Sequence, residues 1–225
     1  MIRWELLDST PVPGSNEPLF LWQRGSEYSL RIGSAELMNS RVHSSEEQLA
    51  ELACARLHGK PAPSLLIGGL GMGYTLAAAL RHLPLTSTLT VAELVPAVVH
   101  WNQHYLGTLT GHPLHDRRVG VQEGDVAALL RQKTAAYDAI LLDVDNGPEG
   151  LTCTANDALY NVAGLAAAFT ALRPQGILAV WSAHSCAPFA KRLAQAGFMV
   201  EEVRLRARGR QGGGRHTVWL ATRGN

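Results

Sequence analysis

The stretch LLIGGLGMGYTLAAAL, residues 65–80, decides how this chain is read. An apolar run breaks at Gly68, Gly69, Gly71 and Gly73 and then resumes as alanine and leucine. Strand-like residues precede the glycines and helix formers follow them, so the loop is a strand-to-helix turn. Glycine at such a place lets a ligand approach bare backbone and permits positive φ. A tight turn with no ligand has the same composition, so the loop alone does not decide between the two.

Outward from the loop, strand-like runs at 64–68, 88–93, 119–122, 137–143 and 176–182 alternate with helical compositions at 74–82, 96–105, 126–132 and 156–172. Pro96 suits the first turn of its helix. The alternation predicts a parallel sheet with helices on both faces, and a ligand site at the strands' carboxyl ends. After a short helix around 188–196, strands at 198–207 and 216–222 are joined by RGRQGGGR, which predicts an antiparallel hairpin closing the sheet. Earlier in the chain, 19–23, 28–32 and 35–38 are short strand candidates. They lead to SSEEQLAELACARLH, a helix that Ser44 or Ser45 can cap, with Glu47 or Gln48 completing a capping box. The division expected is a small β segment over 1–43 and a Rossmann-like domain over 44–225.

Composition narrows the class. The 225 residues are 46% hydrophobic with a mean hydropathy near zero, enough for one large domain with a small appendage. Twenty basic side chains face nineteen acidic ones, a net charge of +1 that calls for neither nucleic acid nor an anionic membrane as partner. Cys54, Cys153 and Cys186 form no CxxC pair, which argues against a disulfide framework and against zinc, and no metal is expected. No apolar run nears the roughly eighteen residues of a membrane span, and MIRWELLDST lacks a signal-peptide core. A cytoplasmic protein is expected.

Acids stand at the ends of successive predicted strands. Glu93, twenty positions beyond Gly73, can accept hydrogen bonds from both hydroxyls of a ribose, although a solvated strand-end acid reads the same. Asp125, in the EGD that precedes Val126, is placed to take an adenine amino group or to cap the following helix. Asp143 and Asp145 in LLDVDNGPEG can hold a cation or take a proton from an amine, with an Asx turn as the rival account. Each acid is ambiguous by itself. Their joint placement on one predicted rim points to a nucleoside site.

These residues carry a resemblance. LLIGGLGMGYTLAAAL, VAELVPAVVHWNQHYLG, DRRVGVQEGDVAALL, YDAILLDVDNGP and LYNVAGLAAAFTALRPQGILAVW resemble class I S-adenosylmethionine-dependent methyltransferases and, more closely, the spermidine synthase family of aminopropyltransferases. The resemblance implies an α/β fold of the Rossmann-like class I methyltransferase kind: a mostly parallel seven-stranded sheet with a C-terminal antiparallel hairpin and a small N-terminal β segment. It implies that Gly68, Gly69, Gly71 and Gly73, with Val126, cradle the donor, that Glu93 holds its ribose and Asp125 its adenine, and that Asp143 and Asp145 are catalytic. The donor implied is S-adenosylmethionine or its decarboxylated form, the acceptor a small amine, and the assembly a homodimer. Two departures stand out. SSEEQ occupies the place of a Tyr-His-Glu segment, and D143-V-D-N-G-P replaces Asp-x-x-Asp-Pro followed later by Gly-Pro, so Asn146 stands at the second aspartate position unless Asp145 takes that part. The reading is a transferase moving an aminopropyl or methyl group; the alternatives are a Rossmann protein that binds NAD and a non-catalytic descendant.

Weaker signals have plain explanations. HPLHD, 112–116, has metal-ligand residue types without further ligands at fixed spacing. Arg204, Arg206 and Arg208 share one strand face, as on a solvated sheet edge. His184 follows the fifth strand as a loop histidine. The segment 38–47 is placed to lie over the pocket, offering Ser44, Ser45 or Glu47 to a substrate.

Overall fold

Alternate residues of the central strands belong to two different cores, and this sorts the whole molecule into layers. The computed structural model describes residues 2–144, 158–206 and 214–225. In β5 (Ser64–Gly68) and β8 (Tyr137–Leu142), Leu65, Ile67, Ala139 and Leu141 pack on one face while Leu66, Ile140 and Leu142 pack on the other. Burial on both faces is why these strands read as unbroken apolar runs rather than as an alternation. The first face is covered by α1 (Ser44–Ala55), α2 (Tyr74–His82) and α3 (Pro96–Trp101). The second is covered by α4 (Val126–Arg131), α5 (Val162–Ala171) and α6 (Ala187–Gln195).

The remaining strands of this sheet are β6 (Thr88–Glu93), β7 (Val119–Glu123), β9 (Leu172–Ser182), β10 (Phe198–Arg206) and β11 (Arg215–Arg223), in the order β10-β11-β9-β8-β5-β6-β7. From β5 the chain steps outward through β6 and β7, then returns to β8 on the other side of β5 and continues to β9, with all these neighbours parallel. The strand order therefore reverses between β5 and β8, the place where open α/β sheets leave a crevice at their carboxyl ends. The hairpin of β10 and β11 is present, with one refinement. β11 pairs antiparallel with both β9 and β10, so the later strand lies between two earlier ones and β10 forms the edge. Arg204 and Arg206 are exposed on that edge while Leu205 is buried; Arg208 lies outside the described residues.

Before α1 the chain forms an antiparallel meander, β1 (Glu5–Thr10), β2 (Leu19–Arg24), β3 (Glu27–Ile32) and β4 (Ala35–Asn39). β1 escapes the sequence reading because ELLDST is mostly polar and only partly covered. Its attachment is polar as well: the indole Nε1 of fully buried Trp101 donates to Asp8 Oδ2 at 2.7 Å. Leu19, Leu21 and Leu30 of the meander share a core with α1 and α3. Helix 96–105 is also refined, for its α turns end at Trp101 and a π turn follows over Asn102–Leu106. The capping box does not form. His43 is the N-cap residue and no side chain caps the helix; the Ser45 hydroxyl is turned to Glu46, and Gln48 donates to the Ser44 backbone carbonyl.

At the end of the sheet away from the crevice, Asp138 is 4% exposed in its side chain and ties three elements together. It accepts from Lys60 Nζ at 2.7 Å, from the Ser64 backbone N–H at 2.9 Å and from Arg173 at 2.6 Å. Asp138→Ala removes charge-assisted bonds that set β5, β8 and β9 side by side. It is expected to lower unfolding free energy by about 2–3 kcal/mol in urea denaturation at neutral pH.

Candidate active site

A cleft of about 210 Å³ opens at the carboxyl ends of β5, β6 and β8. Main-chain bonds carry the strand register onto its rim: Gly69 N–H donates to Ala92 C=O, Asp143 N–H to Gly68 C=O and Gly124 N–H to Glu93 C=O. Gly69, Gly71, Glu93, Asp125, Val126 and Asp143 all line the cleft. Gly68 and Gly73 do not. Gly68 ends β5 where a side chain would press on Leu142 and Val126, and Gly73 begins α2 with φ +84° beside Asn102.

The glycine loop is shaped partly by the protein itself. Gly69 has φ +88° and its Cα faces the Asp143 carbonyl oxygen, so any side chain there would collide with the end of β8. Asn102 Nδ2 holds the loop from beneath, donating to the Gly71 carbonyl at 2.8 Å and to the Val98 carbonyl at 2.9 Å. From the other side Glu93 holds it by its carboxylate. Oε2 accepts from Leu70 N–H at 2.8 Å and Oε1 from Val95 N–H at 2.9 Å. Glu93 is 7% exposed; burial raises its pKa and these backbone donors oppose the rise. The Gly71 and Leu94 N–H groups also favour its charged form, and the residue lines the cleft.

Asp125 is the N-cap of α4, with Oδ1 accepting from Ala127 N–H at 2.8 Å. Capping uses that oxygen, and Asp125 also lines the cleft, its Oδ2 3.9 Å from Arg131. Opposite, the wall is apolar: Val12, Leu19, Leu30, Ile32, Leu37 and Met38 come from the meander and the loop inside it.

At the other end of the cleft Asp143 is joined by Glu46, a residue the sequence reading passes over. It sits in the first turn of α1 with 9% exposure and lines the same cleft. Asp143 Oδ2 accepts from Thr75 Oγ1 at 2.6 Å, and Glu46 Oε2 accepts from Ser45 Oγ at 2.7 Å. Ser45 in turn meets His216 Nδ1 of β11 at 2.9 Å, and His216 packs edge-on to Trp181 at the cleft wall. Burial pushes the Glu46 carboxyl up to about 7, with the Asp143 charge adding to the rise. Burial raises Asp143 too, against the Thr75 hydrogen bond. Neither Ser44 nor Glu47 lines the cleft, for Glu47 turns outward to Arg81 and His43.

Other candidates fall elsewhere. Asp145 lies outside the described residues, as do Asn146 and Cys153. His184 is exposed after β9 and does not line the cleft. In HPLHD, Asp116 is committed to Arg118, which holds its carboxyl down at about 2. Among the described residues no three acidic, histidine or cysteine side chains gather as a metal site. No helix of the described residues is long and apolar enough to cross a membrane.

Strand order and rim together define a Rossmann-like class I methyltransferase fold. Residues 43–194 match the spermine/spermidine synthase domain, and the chain belongs to that family. It is a spermidine-synthase-like transferase of the S-adenosylmethionine type. None of the curated proteins matches the sequence. Solved structures do match in fold. Spermidine synthase from Thermotoga maritima aligns with TM-score 0.76 at 17% identity, over 97% of this chain and 73% of that one. A spermidine synthase in complex with the transition state analogue AdoDATO aligns with TM-score 0.76 at 16% identity, over 97% and 72%. A probable spermidine synthase from Corynebacterium glutamicum ATCC 13032 aligns with TM-score 0.65 at 14% identity, over 97% and 79%.

The acid pair makes stability depend on pH in a definite direction. Glu46 binds its proton more tightly folded than unfolded, so the folded state gains from protonation near pH 4.5 and loses that gain as pH rises toward about 7. Thermal unfolding followed from pH 4.5 to 7 is expected to show Glu46→Gln gaining on the natural protein by up to about 3 kcal/mol at the upper end. A difference that is constant with pH refutes the assignment.

Proposed function

We propose that the cleft binds decarboxylated S-adenosylmethionine and that the protein transfers its aminopropyl group to a small amine. The observation that carries the reading is Glu93, a buried carboxylate fixed by the N–H groups of Leu70 and Val95 and set on the cleft between the glycine loop and Asp125. A carboxylate held by two backbone donors is pre-oriented, so it can accept two hydroxyls of a ribose without reorganising. Asp125 would take the adenine amino group with the oxygen not used in capping, Val126 would flank the base, and the Gly69–Gly71 backbone would meet the chain attached to sulfur. When bound, the donor supplies a carbon activated by a sulfonium leaving group.

The protein's part is then mostly positioning. Asp143, steadied by Thr75, would hold the ammonium of the acceptor and keep its nitrogen in line. Asp145 belongs to the same proposal as a second carboxylate. Family membership and the antiparallel strand β11 inside the sheet both favour this reading over an NAD-binding one. Membership in a spermine/spermidine synthase family also favours the aminopropyl over the methyl group, and a diamine is the first acceptor to try.

Calorimetric titration tests the donor half. Decarboxylated S-adenosylmethionine and methylthioadenosine are expected to bind, and NAD to give no heat. Glu93→Gln is expected to weaken methylthioadenosine by about 10- to 100-fold. Asp125→Ala is expected to weaken it by about 10-fold and also to cost about 1 kcal/mol of stability through the lost cap. Binding of NAD in preference to the thioether nucleoside overturns the proposal. On the acceptor side, Asp143→Asn is expected to raise the amine KM and to leave methylthioadenosine binding unchanged, and Asp145→Asn measures that residue's share.

A further inference from the structure

Glu46 is the ionisable group of the cleft to which the mechanism above gives no task. It is buried and lines the same end as Asp143. Ser45 donates to Glu46 Oε2 at 2.7 Å. A serine hydroxyl has one proton, so with Glu46 ionised the 2.9 Å contact to His216 is a bond that the imidazole Nδ1–H donates. His216 reaches this position from β11, 171 residues away in sequence. Two side chains, one from α1 and one from β11, thus set the direction of the Glu46 carboxylate.

We propose that Glu46 is the proton acceptor for the incoming amine, with Ser45 and His216 as its positioning residues, while Asp143 keeps the ammonium in place. The inference rests on the reading of this end of the cleft as the amine site. The amine arrives as R–NH3+. One N–H bond breaks and an O–H bond forms on Glu46, which leaves R–NH2 with a free lone pair and Glu46 as a neutral acid. The nitrogen lone pair then forms the N–C bond as the C–S bond of the sulfonium breaks, its electron pair passing to sulfur. The neutral thioether nucleoside leaves, the product is a secondary ammonium, and Glu46 returns its proton to solvent once product has left.

The two carboxylates are suited to different parts. Asp143 receives the Thr75 hydroxyl, while Glu46 lies against Asp143 at close enough range for their charges to oppose each other. Paired acids whose surroundings differ divide the roles of charge holder and proton carrier. The groups that face Glu46 are Asp143 at the end of β8, Glu47 beside it on α1 and Tyr74 of α2, on whose ring His43 stacks. Beyond Ser45 stand His216 of β11 and, coupled to it, His184 after β9. An arriving ammonium adds a positive charge to this acid-rich end and favours the ionised form of Glu46, which prepares it to take a proton.

The test combines rates with a direct titration of the carboxyl. With decarboxylated S-adenosylmethionine and 1,4-diaminobutane, kcat should rise with pH along a limb set by Glu46. Glu46→Gln should flatten the limb and lower kcat by about 100-fold, with methylthioadenosine affinity within about twofold of the natural protein. Ser45→Ala should move the limb to higher pH, because the hydroxyl no longer favours the anion, and His216→Gln should move it the same way by less. A structural role alone would not displace the limb. Independently of turnover, carbon-13 NMR of labelled glutamate should show Glu46 titrating near neutrality and moving to lower pH when 1,4-diaminobutane is added. The proposal is overturned if Glu46→Gln keeps both the limb and the rate, or if the Glu46 signal titrates in the ordinary carboxylate range. Failure of methylthioadenosine to bind the natural protein refutes the donor reading instead, and leaves the Glu46 titration to decide this one.

Discussion

The hydrogen bonds from the Leu70 and Val95 backbone to Glu93 are the constraint on which this site depends. They join the loop after β5 to the turn after β6, so the starts of two crossovers on the same face of the sheet are locked to a single carboxylate. A buried acid without such donors would carry a heavy desolvation cost. With them it becomes the fixed point of the rim. The glycine loop cannot drift from β6, and Asn102 closes the arrangement from below by holding the Gly71 carbonyl. Gly69 completes it, because only a residue without Cβ fits between this loop and the Asp143 carbonyl.

Around that point the charges are distributed unevenly. Glu93 and Asp125 lie toward β6 and α4, Asp143 and Glu46 toward β8 and α1, and the meander supplies an apolar wall. At one end the acids accept hydrogen bonds from backbone N–H groups, and the other end crowds two acids that are hard to ionise together. A ligand that is neutral at one end and cationic at the other complements this layout, as a nucleoside joined to an ammonium-bearing chain would.

The sequence made most of the fold legible because apolar runs buried on both sheet faces leave a strong signal, and helices between them force parallel pairing. Strands 64–68 and 88–93 and helix 74–82 match the structure to the residue. What was illegible depended on contacts distant in sequence. β1 is nearly polar and is recognisable only through Trp101, 93 residues away. The serines of SSEEQ have the composition of a cap, yet His216 and Glu46 claim Ser45, and nothing local announces a partner 171 residues distant. For the same reason the local pattern favoured Glu47 over Glu46: the orientation of α1 on the sheet decides which glutamate faces the cleft.

The position of β11 between β9 and β10 has a consequence for how the protein is made. Because the strand later in sequence fills an interior slot, β9 and β10 emerge from the ribosome with facing edges unpaired, and the large sheet stays divided until residues 215–223 arrive. Exposed strand edges invite pairing with other chains, so this interval is the vulnerable stage of folding. The same strand brings His216 to the cleft, which means that maturation of the acidic end coincides with closure of the gap. Nascent chains shorter than this lack His216 and so cannot complete the acidic end.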